Sequence, residues 1–199
     1  MNKGVAAQEI SPHTFIDMLK TNFLSNYLLV AMPQLNDFNF TQSVVYISEH
    51  DSKGALGIII NKPLRVTLGN VLEHLNIKFN VLDVGKHPIL MGGPISQENG
   101  FIIYEKQSEN ERAQLSVSSS KETLESIANN KGPNNFLVAL GYSGWEAGQL
   151  EKEISRNDWL IVPYDRVILF ETPLKQRWQK AALLIGIDIN QLSDQVGHA

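Results

Sequence analysis

No apolar run in this chain exceeds six residues, and the longest, Tyr27 to Met32, ends on Pro33. Runs of that length suit strands buried in a packed sheet, whereas a membrane-spanning helix needs about 20 consecutive apolar residues. The runs are punctuated by glycine and proline. Ser43 to Glu49 and Ala55 to Ile60 flank His50-Asp51-Ser52-Lys53-Gly54. Asp51 and Gly54 suit the first and fourth positions of a type I turn, so these two runs read as a β-hairpin. Asn61-Lys62-Pro63 stops the second strand, because a residue before proline is pushed out of helical conformation. Further short strands are predicted over Pro88 to Met91, Gly100 to Tyr104, Ala113 to Val117, Phe136 to Leu140 and Trp159 to Val162, the last stopped by Pro163.

Helices are announced by their caps. Ser11-Pro12 opens the first, with Phe15, Met18, Leu19 and Phe23 on one face. Thr67 caps a second, with Leu68, Val71, Leu72 and Leu75 at helical spacing. Ser119 and Glu122 predict a capping box for a third, whose inner face is Leu124, Ile127 and Ala128 and whose stop is Gly132-Pro133. A fourth is expected over Glu146 to Ile154. A last one starts at Thr172-Pro173, turns Leu174, Trp178, Ala181 and Ile185 inward, and ends at Gly186. Groups of two or three strands between helices are not the strict alternation of a doubly wound sheet. The expected class is α+β: a single domain over residues 1–199, with a mixed, mostly antiparallel sheet surrounded by helices.

Composition narrows the function. The 199 residues carry a net charge of −4 and are 43% hydrophobic. That allows one sizeable core, burying roughly 70% of the unfolded surface. The acidic balance argues against a nonspecific nucleic-acid binder, which needs excess Lys and Arg. The best local basic set, Lys175, Arg177 and Lys180, reads as the solvated face of the last helix. There is no cysteine, which excludes disulfides, thiolate nucleophiles and Cys-ligated metals. With no secretory signal pattern and no spanning segment, the expected location is the cytoplasm.

Several clusters could carry chemistry. Gly141-Tyr142-Ser143-Gly144-Trp145 is expected where a strand meets a helix. It resembles a nucleophile elbow but has Trp145 where that motif needs glycine. Helix-start N–H groups there could face an anion, though Glu146 would already complement them, and a structural turn with Trp145 in the core is the plainer reading. Gln149 and Glu153 share a helix face with Trp145, as a ligand site or as a simple side-chain hydrogen bond. Gly92-Gly93-Pro94 follows a strand and permits close approach of a ligand or another chain. Glu49-His50-Asp51 puts three metal-ligand types side by side, but consecutive strand residues point to opposite faces. His13, His74, His87 and His198 are scattered, so no metal site and no cofactor is expected. Asp37, in Asn36-Asp37-Phe38-Asn39-Phe40, reads as a turn carboxylate in a loop anchored by both aromatics, able to meet His50 as an acid–base pair if the fold brings them together.

These signposts, taken in order, resemble the AlgH/YqgE family of bacterial proteins over nearly the full chain. The resemblance rests on Leu28-Leu29-Val30-Ala31-Met32-Pro33, Asp37 with Phe40, Ser43-Val44-Val45-Tyr46-Ile47 through Glu49-His50, Gly54-Ala55-Leu56-Gly57, Asn61-Lys62-Pro63 and Gly92-Gly93-Pro94. It continues through Gly141 to Trp145, Gln149-Leu150-Glu151 with Glu153, Trp159, and Gly197-His198-Ala199. It implies a compact α+β domain with a coiled or branched sheet. It implies no assigned reaction, and carries a label of transcriptional regulation. Glu146-Ala147 departs from the Gly-Pro common among relatives, and a thiol-based role has no cysteine to use.

The expectation is a cytosolic binding or regulatory protein acting through a protein partner or small ligand, with no direct nucleic-acid contact and no membrane. The candidate ligand-binding residues are Asp37, His50, Asn61, Gly92, Gly93, Gly141, Tyr142, Trp145, Gln149 and Glu153, none assigned a catalytic role. The alternative is a small enzyme, a hydrolase using Asp37 and His50 with backbone donors from the Gly-rich loops.

Overall fold

The computed structural model describes residues 23–79, 82–106 and 114–194. The predicted helix from Ser11, apart from Phe23, lies outside the described residues, as do His13, Ala113 and the terminal Gly197-His198-Ala199.

The first strand shows how the core is built. In β1 (Tyr27–Ala31), Leu28 and Val30 enter one apolar cluster while Leu29 and Ala31 enter another, all four fully buried. A strand whose two sides are both covered must be apolar throughout, hence the uninterrupted run. Each fully buried Leu contributes about 2 kcal/mol. β1 sits between β2 (Val44–Asp51) and β9 (Trp159–Pro163), antiparallel to both. β2 turns through Ser52-Lys53 into β3 (Gly54–Ile59), with Asp51 opposite Gly54 and Lys53 N–H donating to Asp51 Oδ1 at 2.7 Å. Neither Ser52 nor Lys53 has positive φ, as a type I turn requires.

The sheet branches at β8 (Phe136–Glu146). Its first half pairs in parallel with β5 (Pro88–Met91) and antiparallel with β6 (Ile95–Lys106); its second half, from Ser143, pairs with β3. The resulting nine-stranded sheet is mixed but antiparallel at every pairing except β5 with β8. β7 (Gln114–Ser118) extends the β6 arm, and β4 (Pro63–Thr67) closes the other edge beside β5.

Helices cover the faces. Over Leu28, Val30, Val44 and Tyr46 lies α5 (Arg177–Leu183), through Trp178, Ala181 and Ala182. Trp178 Nε1–H donates to Ala31 O at 2.7 Å. Over Leu29, Val45, Ile47 and Ile59 lie Trp145, Trp159 and Leu150 of α4 (Gln149–Ser155). The β5–β6 arm is covered by α1 (Leu68–His74) and α3 (Lys121–Ala128), with the short α2 (Leu82–Gly85) beside α1. A π-helical turn (Val167–Glu171) and a 3-10 turn (Leu174–Gln176) lead into α5, and α6 (Ile189–Asp194) follows it.

Five expectations need correction. Gly141 to Trp145 is not a turn into a helix: β8 runs through it to Glu146, and α4 begins only at Gln149, after Gly148 at φ +72°. β4 was not anticipated: Leu64, Arg65, Val66 and Thr67 do alternate apolar and polar, but the segment is short, exposed and opened by Pro63, which reads as a strand stop and is tolerated here because β4 is an edge strand. The cap of α3 is Ser120, whose Oγ accepts from Thr123 N–H, one residue beyond the predicted Ser119–Glu122 box. Phe38 anchors nothing and is 95% exposed; Phe40 alone packs, against Trp145 and Trp159. Arg177 is not on a solvated face but 4% exposed.

Candidate functional site

Three groups of predicted residues end up in three places. The first is the junction of β8 with α4. Glu153 Oε2 accepts from both indole N–H groups, Trp145 at 2.8 Å and Trp159 at 2.9 Å, and its Oε1 accepts from Gln149 Nε2 at 2.9 Å. Gln149 Oε1 accepts from the Glu146 N–H at 3.0 Å. The helix face read as a ligand pair is therefore a clamp holding β8, β9 and α4 together. Hydrogen bonds to a charged acceptor contribute about 1.5–3 kcal/mol each. Trp159 was not foreseen as the clamp's third arm, since it lies on a different strand from Trp145.

His50 lies near the same helix, 8% exposed. Its Nδ1 accepts from the Leu24 N–H at 2.9 Å, and Nε2 faces Glu151 Oε1 at 3.0 Å. An accepting Nδ1 places the ring proton on Nε2, pointed at Glu151; the tautomer follows from the hydrogen bonds. Phe23 packs edge-on at 5.4 Å. His50 is thus bonded on both ring nitrogens and is not hydrogen-bonded to Asp37. Glu49 and Asp51 on either side of it are exposed while His50 is buried, so the three do not converge. Among the described residues, no three His, Asp or Glu side chains gather as a metal would need.

The glycines form the second group. β5 and β6 pair with opposite edges of the same β8 residues, so the Gly92-Gly93-Pro94 link must cross the face of β8. A Cβ on Gly93 would stand 2.1 Å from the Tyr142 carbonyl carbon, and one on Gly92 2.2 Å from Gly141 O. The close approach is of another stretch of the same chain. Gly92 N–H donates to Leu140 O at 2.7 Å and Gly92 O accepts from Ile59 N–H at 2.8 Å. Ser143 is fully buried, its Oγ at 3.5 Å from Gly92 O. The half-buried Tyr142 packs its ring against Phe101.

The third group lies where the loop between β1 and β2 meets the end of β3. Asp37 Oδ1 accepts from Asn39 N–H at 2.8 Å and closes its own turn. Asn61 joins β2 to the end of β3: its Oδ1 accepts from Val44 N–H and its Nδ2 donates to Gln42 O, both at 2.8 Å. Lys62, half-buried, donates from Nζ to Asn39 O at 2.7 Å. Burial pulls its ammonium pKa down, and the carboxylate of Asp37 pulls the other way. Asn61 and Lys62 form one wall of an open cavity of about 620 Å³, with Thr41, Lys175, Trp178 and Gln179 among the others. Sequence reasoning named Asn61 as a ligand candidate but missed this cavity. Its signal is the adjoining Lys62, which in the sequence reads only as part of a strand stop. A separate hollow of about 500 Å³ lies between α1, α3 and β6, over Val71, Leu75, Ile102 and Leu124. A further open hollow of about 520 Å³ is lined by His50 and Trp145, but by neither Asp37 nor Gln149.

Fold and site together define a branched-sheet α+β protein whose polar core residues are joined to one another. The chain belongs to the AlgH-like family, whose profile matches residues 28–190. It is 67% identical over 182 residues to a UPF0301 protein of Coxiella burnetii, covering 92% of this chain and all of that protein. It is 42% identical to one from Nitrosococcus oceani, covering 89% of this chain and 97% of that protein. The solution structure of the AlgH protein from Pseudomonas aeruginosa superposes with a TM-score of 0.71 at 39% identity, over 90% of this chain and 97% of that one. A crystal structure of a Corynebacterium diphtheriae protein shares the fold at 19% identity, with a TM-score of 0.68, over 85% of this chain and 91% of that one. Among the described residues no helix is long and apolar enough to cross a membrane.

Proposed function

We propose that this chain is a binding protein, regulatory through a bound partner or small ligand, and performs no bond-making step of its own. One observation carries the reading: Asp37, His50 and Glu153, the side chains an acid–base reaction would draw on, are bonded to the protein's own backbone and side chains, and Asp37 and His50 are not bonded to each other. A general base must reach the proton it abstracts, and a nucleophile needs an adjacent base. Here the bases face backbone and indole N–H groups, and the Ser143 hydroxyl is sealed beneath Gly92. Any effect on transcription is indirect in this reading. Burial of Arg177 leaves Lys175 and Lys180 as the exposed cations of the predicted basic set, too few for a phosphate-backbone stripe. A cytoplasmic setting belongs to the same proposal and agrees with the cysteine-free composition.

The test is a panel of ester, amide, phosphoester and glycoside substrates run on the purified chain beside its His50→Gln and Asp37→Ala variants. The expected result is no turnover that separates wild type from variants. Turnover present in the wild type and abolished by either substitution overturns the proposal.

A further inference from the structure

We infer that the cavity walled by Asn61, Lys62, Lys175, Trp178 and Gln179 binds a small organic anion, bearing phosphate or carboxylate and several further hydrogen-bonding groups. The inference rests on the binding reading above and gives that reading a site and a ligand class. Three observations point to it.

Charge comes first. The chain is acidic overall, at −4, yet the residues around this cavity include two lysines and neither Asp nor Glu. The carboxylates closest in the hydrogen-bonding pattern are already engaged. Asp37, which acts on Lys62 from outside the lining, accepts from Asn39 N–H, while Asp188 accepts from Asn190 N–H and Gln191 Nε2. A cationic recess on an anionic protein focuses potential on small anions.

The second observation is Arg177, immediately behind the wall. Its guanidinium donates from Nη1 to Ile60 O, at the peptide that joins Ile60 to Asn61, and from Nε to Thr172 O at 3.0 Å. It makes no ion pair with the described residues, and burial alone pulls its pKa down to about 10. A buried cation without a counter-charge is costly. An anion seated against Asn61 and Trp178 would supply that charge to Arg177 and to the partly desolvated Lys62 together.

Size and polarity are the third. A volume of about 620 Å³ falls within the roughly 300–1,000 Å³ typical of small-molecule sites. Thr41, Asn61 and Gln179 each spend part of their hydrogen-bonding capacity inside the chain, on Asp37 O, on Val44 N–H with Gln42 O, and on Asn190 Oδ1. The second N–H of each amide and the lone pairs of the hydroxyl are left for a ligand, and Trp178 adds an apolar surface. That mixture suits a molecule of the kind represented by a sugar phosphate or nucleoside monophosphate better than a lipid. The hollow between α1 and α3 has no comparable charge pattern, with Lys121 already paired to Glu125.

The experiment is an NMR titration of the 15N-labelled full chain with ribose 5-phosphate, AMP and citrate, with uncharged ribose as control, and with probe integrity followed in the same tube. The anions are expected to shift the side-chain amides of Asn61 and Gln179 while ribose does not. Response to the phosphates alone, to citrate alone or to both supports the inference and identifies the head group. Lys62→Gln should weaken binding about tenfold, the loss of one charge-assisted contact. Lys175→Gln, at an exposed side chain that cannot unfold the protein, should weaken it several-fold, and Lys180→Gln should leave it unchanged. The inference is overturned if no anion shifts those amides, if ribose binds as well as ribose 5-phosphate, or if both Lys62→Gln and Lys175→Gln bind like wild type. Consumption of a bound probe would sink the non-catalytic reading while leaving the anion site standing; absence of binding would sink the site alone.

Discussion

The junction of β8 with α4 and the cavity beside α5 use the same kinds of residue to opposite ends. At the junction a carboxylate, an amide and two indoles satisfy one another within 2.9 Å, and glycines let strand cross strand. At the cavity, lysines and a buried guanidinium face backbone carbonyls and amides, with no carboxylate in the lining. Polar groups that complete one another rigidify a fold; charged groups left without a counter-charge keep an interaction in reserve. The junction is scaffold and the cavity is where the proposed anion would sit; the sequence disclosed the first as a cluster and not the second, whose walls come from two distant stretches of chain.

The sharpest way to break that contrast is at the crossing. Gly93→Ala forces a Cβ to 2.1 Å from the Tyr142 backbone, and should cost about 4 kcal/mol or more, read as loss of soluble folded protein or a large drop in the urea midpoint. His50→Ala, which strips partners from Leu24 N–H and Glu151, should cost about 2–3 kcal/mol by the same measurement.

Alkaline pH gives a second test of how tightly the α5 side of the sheet is sealed. Burial pushes the Tyr46 phenol up to about 12, while an unfolded tyrosine ionises near 10. The folded state therefore keeps a proton that the unfolded state releases. Stability is undiminished below about pH 10 and falls as pH rises toward 12. Denaturant midpoints across that window should fall more steeply for wild type than for Tyr46→Phe, by on the order of 1–2 kcal/mol at the upper end. Gly148→Ala, at φ +72° with no atom within 4 Å to strike, should cost only about 1 kcal/mol, well short of Gly93→Ala. Phe38→Ser, at a 95% exposed ring, should change stability by less than about 0.5 kcal/mol.

Much of the frame was legible. β1, the β2–β3 hairpin, β5 and β9 announced themselves because buried strands need unbroken apolar runs and their ends need Pro or Gly. The cap at Thr67 was legible too, although Asn70 supplies the reciprocal bond. The second half of β8 was not, because its glycines look like a turn when the partners they make room for are unknown. A Cβ on Gly141 would stand 2.6 Å from Gly93 O and one on Gly144 3.1 Å from the Ile95 side chain, so a Gly-rich strand there is a packing solution. At the site, the spacing of Gln149 and Glu153 disclosed a shared helix face, since four residues is about one helical turn; Trp145 reaches Glu153 from strand β8 and not along that helix. Trp159 and the His50–Glu151 contact, 101 residues apart in sequence, come together only through sheet order. Arg177 was misread for a related reason: an arginine on a helix looks solvated until the neighbouring carbonyls of Ile60 and Thr172 are seen to enclose it.

The central claim is that the acidic clamp is structural and the cationic cavity is not. Urea unfolding of Glu153→Ala beside Lys175→Gln tests it most directly. Glu153→Ala leaves two indole N–H groups without their acceptor and should lose about 3 kcal/mol, while Lys175→Gln, at an exposed side chain of the cavity wall, should stay within about 0.5 kcal/mol of wild type. Equal losses, or a Glu153→Ala variant as stable as wild type, would contradict the account.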